Sequence, residues 1–227
     1  MQKLKQIYRS NYAGEAIVTE LVLSDNEWAP ETEYIENSVF NVHTTSQAIA
    51  IGNGATRQGF DLAHIKNHRG GLLATDKLQS YGCNLIYKEF EPDFLVTAGV
   101  DKVDDLANSG YCEDHIVYSN AQHLLDYPGK FYLTPQNPAY DAGALAAYLA
   151  CFDGHTKVFL LGYDGYSNDS DDAFWVSTLM QVMATYSNTE FVRVMPTNKY
   201  VCADALLRVP NFRQIDFREF VLEADIG

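Results

Sequence analysis

The run Ala48-Ile49-Ala50-Ile51 breaks directly into Gly52-Asn53-Gly54, and Arg57 to Lys66 reads as a helix behind it. A short apolar run ending in a glycine turn predicts a strand buried on both faces. Buried strand, tight turn and helix together form the opening unit of a parallel α/β sheet. Such a turn is also an anion site. Backbone N–H groups point outward, the helix dipole favours negative charge, and glycine lets a phosphate come close. The expectation is a nucleotide-binding α/β fold.

From residue 48 the pattern alternates strand and helix. Strand candidates are 48–52, 72–75, 78–82, 93–98, 115–118, 130–133, 157–162 and 190–195. Helix candidates are 57–67, 84–90, 101–109, 120–126, 141–152 and 173–187, and the tail has a strand-like or extended stretch at 212–221. This alternation predicts a Rossmann-like, mostly parallel sheet with helices on both faces. The clearest helix runs from Asp141, an N-cap residue, into Ala142-Gly143-Ala144-Leu145-Ala146. Residues 1–47 read differently. Ala16 to Leu23 predicts a strand, Asp25-Asn26-Glu27 a turn, and Tyr34 to Thr45 alternates weakly. The expected division is a β-rich N-terminal extension over 1–47 and a nucleotide-binding domain over 48–227.

The chain has 227 residues, of which 47% are hydrophobic, enough to bury a full core. Its formal net charge is −14, from 16 Lys+Arg and 30 Asp+Glu. That disfavours a nucleic-acid footprint, which needs a basic face. No run approaches the roughly 18 apolar residues of a membrane span. The first residues lack the apolar core of a secretory signal, so the expectation is a soluble, intracellular protein. Cys83, Cys112, Cys151 and Cys202 are widely spaced, which fits buried free thiols better than disulfides or a zinc ribbon.

Several strand ends carry polar residues: Cys83-Asn84, Ser119-Asn120 and Tyr163-Asp164-Gly165. Ligands of open α/β sheets bind outside the carboxyl ends of strands, so these could read a base and a ribose together. Singly, each is an ordinary cap or turn residue. A dinucleotide site would want a third glycine where Arg57 stands; Asp76 sits where a ribose-binding acid would. His64 and His68 have a metal-compatible spacing but no third ligand follows, so a solvated helix end is expected. His123 is a candidate general base. The acidic stretch 165–172 lacks the glycine and closing glutamate of a calcium loop and reads as a mobile lid.

These residues, in this order, resemble two related groups: bacterial sialyltransferases that use CMP-sialic acid, and 6-hydroxymethylpterin diphosphokinases of the MptE type. The resemblance runs from Ala48 to about Tyr166. Its motifs are the Gly52-Asn53-Gly54-Ala55-Thr56 loop, Cys83-Asn84, Ser119-Asn120, the turn Asp141-Ala142-Gly143 and the strand end Gly162-Tyr163-Asp164. It implies a nucleotide cleft held by Gly52, Asn53, Gly54, Thr56, Asn84, Ser119, Asn120 and Gly143. Two departures stand out. Thr56 replaces the usual serine, and no histidine precedes the small-residue turn. His123 is the nearest upstream candidate base, with Asp141 and Asp164 as alternatives. The full-length pattern, including Asn11-Tyr12-Ala13-Gly14-Glu15 and Leu222-Glu223-Ala224-Asp225-Ile226-Gly227, also resembles uncharacterised proteins of marine tailed phages.

The resemblance implies sugar transfer from a CMP- or other NDP-linked donor, with no further cofactor and no metal. Two other readings stay open. One is a phage virion protein that reuses the fold, docking through residues 1–47 and aromatics such as Tyr8, Tyr12, Trp28, Tyr34 and Phe40, with a homo-oligomer as a further open reading. The other is a pterin-type pyrophosphokinase, whose magnesium carboxylates would come from Asp164 and residues 169–172. Host cytoplasm or virion is the expected location.

Overall fold

A computed structural model describes residues 3–8, 16–36, 45–68, 78–164, 173–197 and 202–227. The first strands form a sheet of their own: β1 (Lys3–Tyr8), β2 (Ala16–Ser24) and β3 (Glu27–Glu36), antiparallel in the order β1-β2-β3. Asp25 and Asn26 both take positive φ, 52° and 64°, which gives the β2–β3 hairpin its tight turn. The β2–β3 register shifts at Glu20/Leu21, beside Pro30, whose missing N–H is tolerated on an edge strand.

The second sheet has eight strands, all parallel: β4 (Gln47–Ile51), β5 (Gln79–Cys83), β6 (Phe94–Val96), β7 (Val117–Ser119), β8 (Tyr132–Leu133), β9 (Lys157–Leu161), β10 (Glu190–Met195) and β11 (Phe212–Asp216). The order is β11-β10-β9-β4-β5-β6-β7-β8. The chain therefore steps outward from β4 to β8, returns to the other side of β4, and steps outward again to β11. The described helices are α1 (Ala63–His68), α2 (Val100–Asn108), α3 (Tyr111–Asp114), α4 (Ala121–Asp126), α5 (Ala142–Phe152), α6 (Ala173–Thr185), α7 (Asp204–Leu207) and α8 (Phe217–Glu223).

Strand β4 shows how two layers share one sheet. Its side chains alternate between faces. Ala48 and Ala50 face a core built from α5, α6 and α7, while Ile49 and Ile51 face one with Phe60, Ile65, Phe159 and Phe220. The small alanines let α5 lie close, and ten of the eleven α5 residues are buried. Each large apolar side chain so buried contributes about 1.5–3 kcal/mol. The small sheet lies against the β8 edge and α4. Leu4 enters the cluster of Leu124 and Phe131, and Val18 enters that of Tyr118.

Three local expectations are corrected. The helix expected at 57–67 is a five-residue 3-10 turn, Ala55–Gly59, followed by the separate α1. Phe60 between them is extended and packs on Phe217 and Phe220, which pulls the chain off the helix axis. Asp61 then accepts from the Ala63 N–H (2.9 Å) and starts α1 afresh. Residues 84–88 likewise make a 3-10 turn, not an α-helix, because Asn84 enters it with φ 50°. The tail splits at Asp216 into β11 and α8, since Asp216 and Glu219 form a reciprocal capping box. The strand expected at 72–75, Asp76 and the 165–172 loop lie outside the described residues.

Candidate functional site

Adjacent crossovers leave in opposite directions where the strand order reverses, between β4 and β9. A crevice opens there at the carboxyl ends of the strands. It holds a cleft of about 300 Å³. Its walls are Gly52–Gly54 after β4, Cys83 and Asn84 after β5, Asp141–Gly143 at the head of α5, Gly162–Asp164 after β9, and Trp175 on the first turn of α6.

The glycine loop is fitted to its neighbour loop. The Gly52 N–H donates to Leu161 O (2.8 Å) and the Gly54 N–H to Gly162 O (3.0 Å). The Thr56 N–H donates to Asp164 Oδ2 (2.8 Å), and the Thr56 hydroxyl donates to Asp164 Oδ1. Pairing between β4 and β9 thus continues past the strands into both loops. A Cβ on Gly52 would stand 2.5 Å from Gly162 O, and one on Gly54 would stand 2.5 Å from both Gly162 O and the Asp164 carboxyl carbon. Real Cβ atoms do not approach backbone that closely, so these glycines make room for Gly162 and Asp164. Gly162 itself has φ 76°, which favours glycine.

The other walls are tied in as firmly. Asn53 Nδ2 donates to Cys83 O (2.8 Å) and fixes the end of β4 to that of β5. Asp141 Oδ1 accepts from the N–H groups of Gly143 (2.9 Å) and Ala144 (3.1 Å), capping α5. Its other oxygen accepts from the Thr178 hydroxyl of α6 (2.5 Å). The Tyr163 hydroxyl donates to Gly143 O (2.8 Å) and joins the β9 loop to the first turn of α5. Burial pushes the Cys83 thiol up to about 12, with the Asp141 charge adding to it, which favours the protonated thiol. Arg57 is buried and forks onto the Glu89 carboxylate at 2.7 and 2.9 Å, which holds that carboxyl below its usual range.

The sequence expectation of one pocket is met only in part. Gly52, Asn53, Gly54, Asn84, Asp141, Gly143 and Asp164 line the cleft together. Thr56, Ser119, Asn120 and His123 do not. Thr56 faces Asp164 from behind. Ser119 is fully buried two strands away, where its hydroxyl donates to Thr97 O (2.8 Å) and meets His123 Nδ1 at 2.8 Å. Asn120 caps α4 by accepting from the His123 N–H (3.1 Å). Burial lowers the pKa of His123, against the opposing charges of Asp126 and Asp104. The residue that sequence reading missed is Trp175. Its signal was an adjacent Phe174-Trp175 pair opening a helix just after a strand-end loop. His64 Nδ1 lies 3.2 Å from Ile226 O, and the side chain of His68 lies outside the described residues. Among the described residues no three His, Cys, Asp or Glu side chains converge to hold a metal ion. No described helix is long and apolar enough to cross a membrane. No protein-family model, no curated protein and no solved structure matches this chain.

Proposed function

We propose that this chain is a Rossmann-like protein that takes a nucleotide-sugar donor in the cleft at the β4/β9 reversal and transfers the sugar. One observation carries the reading. Asn53, Asn84, Asp141 and Asp164 come from four separate segments and converge on one crevice at the reversal. Amide and carboxylate side chains of this kind can fix a base and a ribose by hydrogen bonds. Of the three candidate bases, Asp141 and Asp164 line the cleft and His123 does not. The acceptor's proton therefore goes to one of the two carboxylates in this reading. Positioning donor and acceptor side by side supplies much of the remaining rate.

A second reading is a phage virion component that keeps the fold without catalysis and docks through residues 1–47. It is favoured by the Asp164 carboxylate, which already fills the Thr56 donors that a phosphate would need. The test is a melting-temperature screen against CMP, CDP, UDP, GDP, ATP and NAD, with and without magnesium. A ligand that binds only the folded chain raises the melting temperature. A rise with one nucleotide supports the donor cleft and names its class. A rise that requires magnesium points instead to a pterin-type pyrophosphokinase. No rise with any nucleotide overturns the transferase reading in favour of the virion component.

A further inference from the structure

Resting on the nucleotide reading above, we infer that the cleft grips its ligand by the nucleoside, with the base laid on Trp175, and not by the phosphate. Three independent features lead there. First, the alternate N–H groups of the glycine loop, at Gly52, Gly54 and Thr56, are all taken within the chain. The space that Gly54 leaves open is filled by the Asp164 carboxylate, which sits as the chain's own anion. A phosphate entering there would have to displace a like charge. Second, the described lining residues include two carboxylates and no lysine or arginine. The nearby cation Arg57 is held by both oxygens of Glu89. Carboxylates only accept hydrogen bonds, so they fit the donors of a sugar ring and not the oxygens of a phosphate. Third, Trp175 lines this cleft and is 41% exposed, an unusual exposure for so large an apolar side chain. An exposed indole at a cleft wall offers a stacking surface for a flat ring.

Together these place the base between Trp175 and the Asn53/Asn84 wall, with the carboxylates of Asp141 and Asp164 facing sugar hydroxyls and no cationic grip on the phosphate among the described lining residues. Tryptophan fluorescence reads this directly, because Trp28 and Trp175 are the only tryptophans. In Trp28→Phe, Trp175 is the sole tryptophan and is read selectively by exciting at the red edge, beyond tyrosine absorption. Cytidine, CMP, adenosine and AMP would be titrated into it by fluorescence and, separately, by calorimetry. The expected result is a saturable quench of Trp175 by one nucleoside and its nucleotide. Their affinities should agree within about tenfold, since charged hydrogen bonds to a gripped phosphate would exceed that factor. Trp175→Ala should weaken both on the order of tenfold, as loss of one base stack does, while Trp175→Phe keeps most of the affinity. An unchanged melting temperature of the free Trp175 variants shows that the fold is intact. Calorimetric binding without any change in Trp175 fluorescence overturns the stacking inference and leaves the nucleotide reading standing. A nucleotide more than about tenfold tighter than its nucleoside overturns it in favour of a phosphate grip. No heat and no fluorescence change with any of the four, together with no melting-temperature rise in the nucleotide screen above, removes the nucleotide reading itself, and this inference with it.

Discussion

Two stretches of the same sheet edge carry the same kinds of residue and use them differently. At the ends of β4, β5 and β9, the polar residues Asn53, Asn84 and Asp164 line an open cleft. At the ends of β7 and β8, Ser119, Asn120, Thr134 and His123 bond to one another and to strand-end carbonyls. Thr134, for example, sends both its N–H (2.8 Å) and its hydroxyl (3.0 Å) to Ser119 O. Their chemistry is alike, and their place in the topology is not. Beside the reversal, neighbouring crossovers diverge and leave the strand ends uncovered. Beyond it, the strand-end side chains are spent on one another and on neighbouring carbonyls. A polar strand end thus faces an open cleft or serves the fold according to the strand order around it.

The largest effect expected on this contrast is at the cleft floor. Gly52→Ala pushes a methyl against Gly162 O and should cost about 3 kcal/mol of stability by overpacking. Denaturant unfolding would show it; an unchanged midpoint would mean that the two loops are not interlocked. Next is Ser119→Ala, which leaves Thr97 O and His123 Nδ1 without this partner. About 1–3 kcal/mol of stability should go, with nucleotide affinity unaltered. A loss of affinity would merge the two stretches into one site. Asn84→Gly should do the reverse. Glycine accepts the φ of 50°, so the fold persists, while loss of the amide weakens nucleotide binding by about tenfold, or 1.4 kcal/mol. The smallest effect is with pH. Burial holds the His123 pKa below its ordinary 6.5, so the unfolded chain takes the proton more readily. The stability that neutral His123 supports is complete above pH 6.5 and falls as acid carries the pH through the folded-state value. The melting temperature of His123→Gln should therefore fall less steeply than wild type on the acid side of that pH.

The sequence disclosed the parallel sheet well, because β4, β9 and α5 are dominated by burial, and burial is written in composition. Asp141 was legible as a cap for the same local reason. The break at Phe60 was not, since it depends on a distant partner: Phe217 and Phe220 come from the far end of the chain. Gly59 and Asp61 were its local traces. The start of α8 was legible but overlooked, as Asp216-Phe217-Arg218-Glu219 spells a capping box. For the site, spacing along the chain found the strand ends but could not tell which faced the reversal. That required the strand order, which separated Asn84 from Ser119. The occupation of the Thr56 donors by Asp164 was beyond sequence altogether, because it joins residues 108 positions apart.

The central claim is that a nucleotide occupies the cleft at the β4/β9 reversal. Hydrogen exchange of the backbone amides, with and without the nucleotide that raises the melting temperature most, tests it directly. The account predicts slowing concentrated in 52–56, 83–84, 141–143, 162–164 and around Trp175, with the Ser119–His123 stretch unchanged. Slowing centred instead on the groove between Phe60, His64 and Leu222, or at no amide of the cleft, would contradict it.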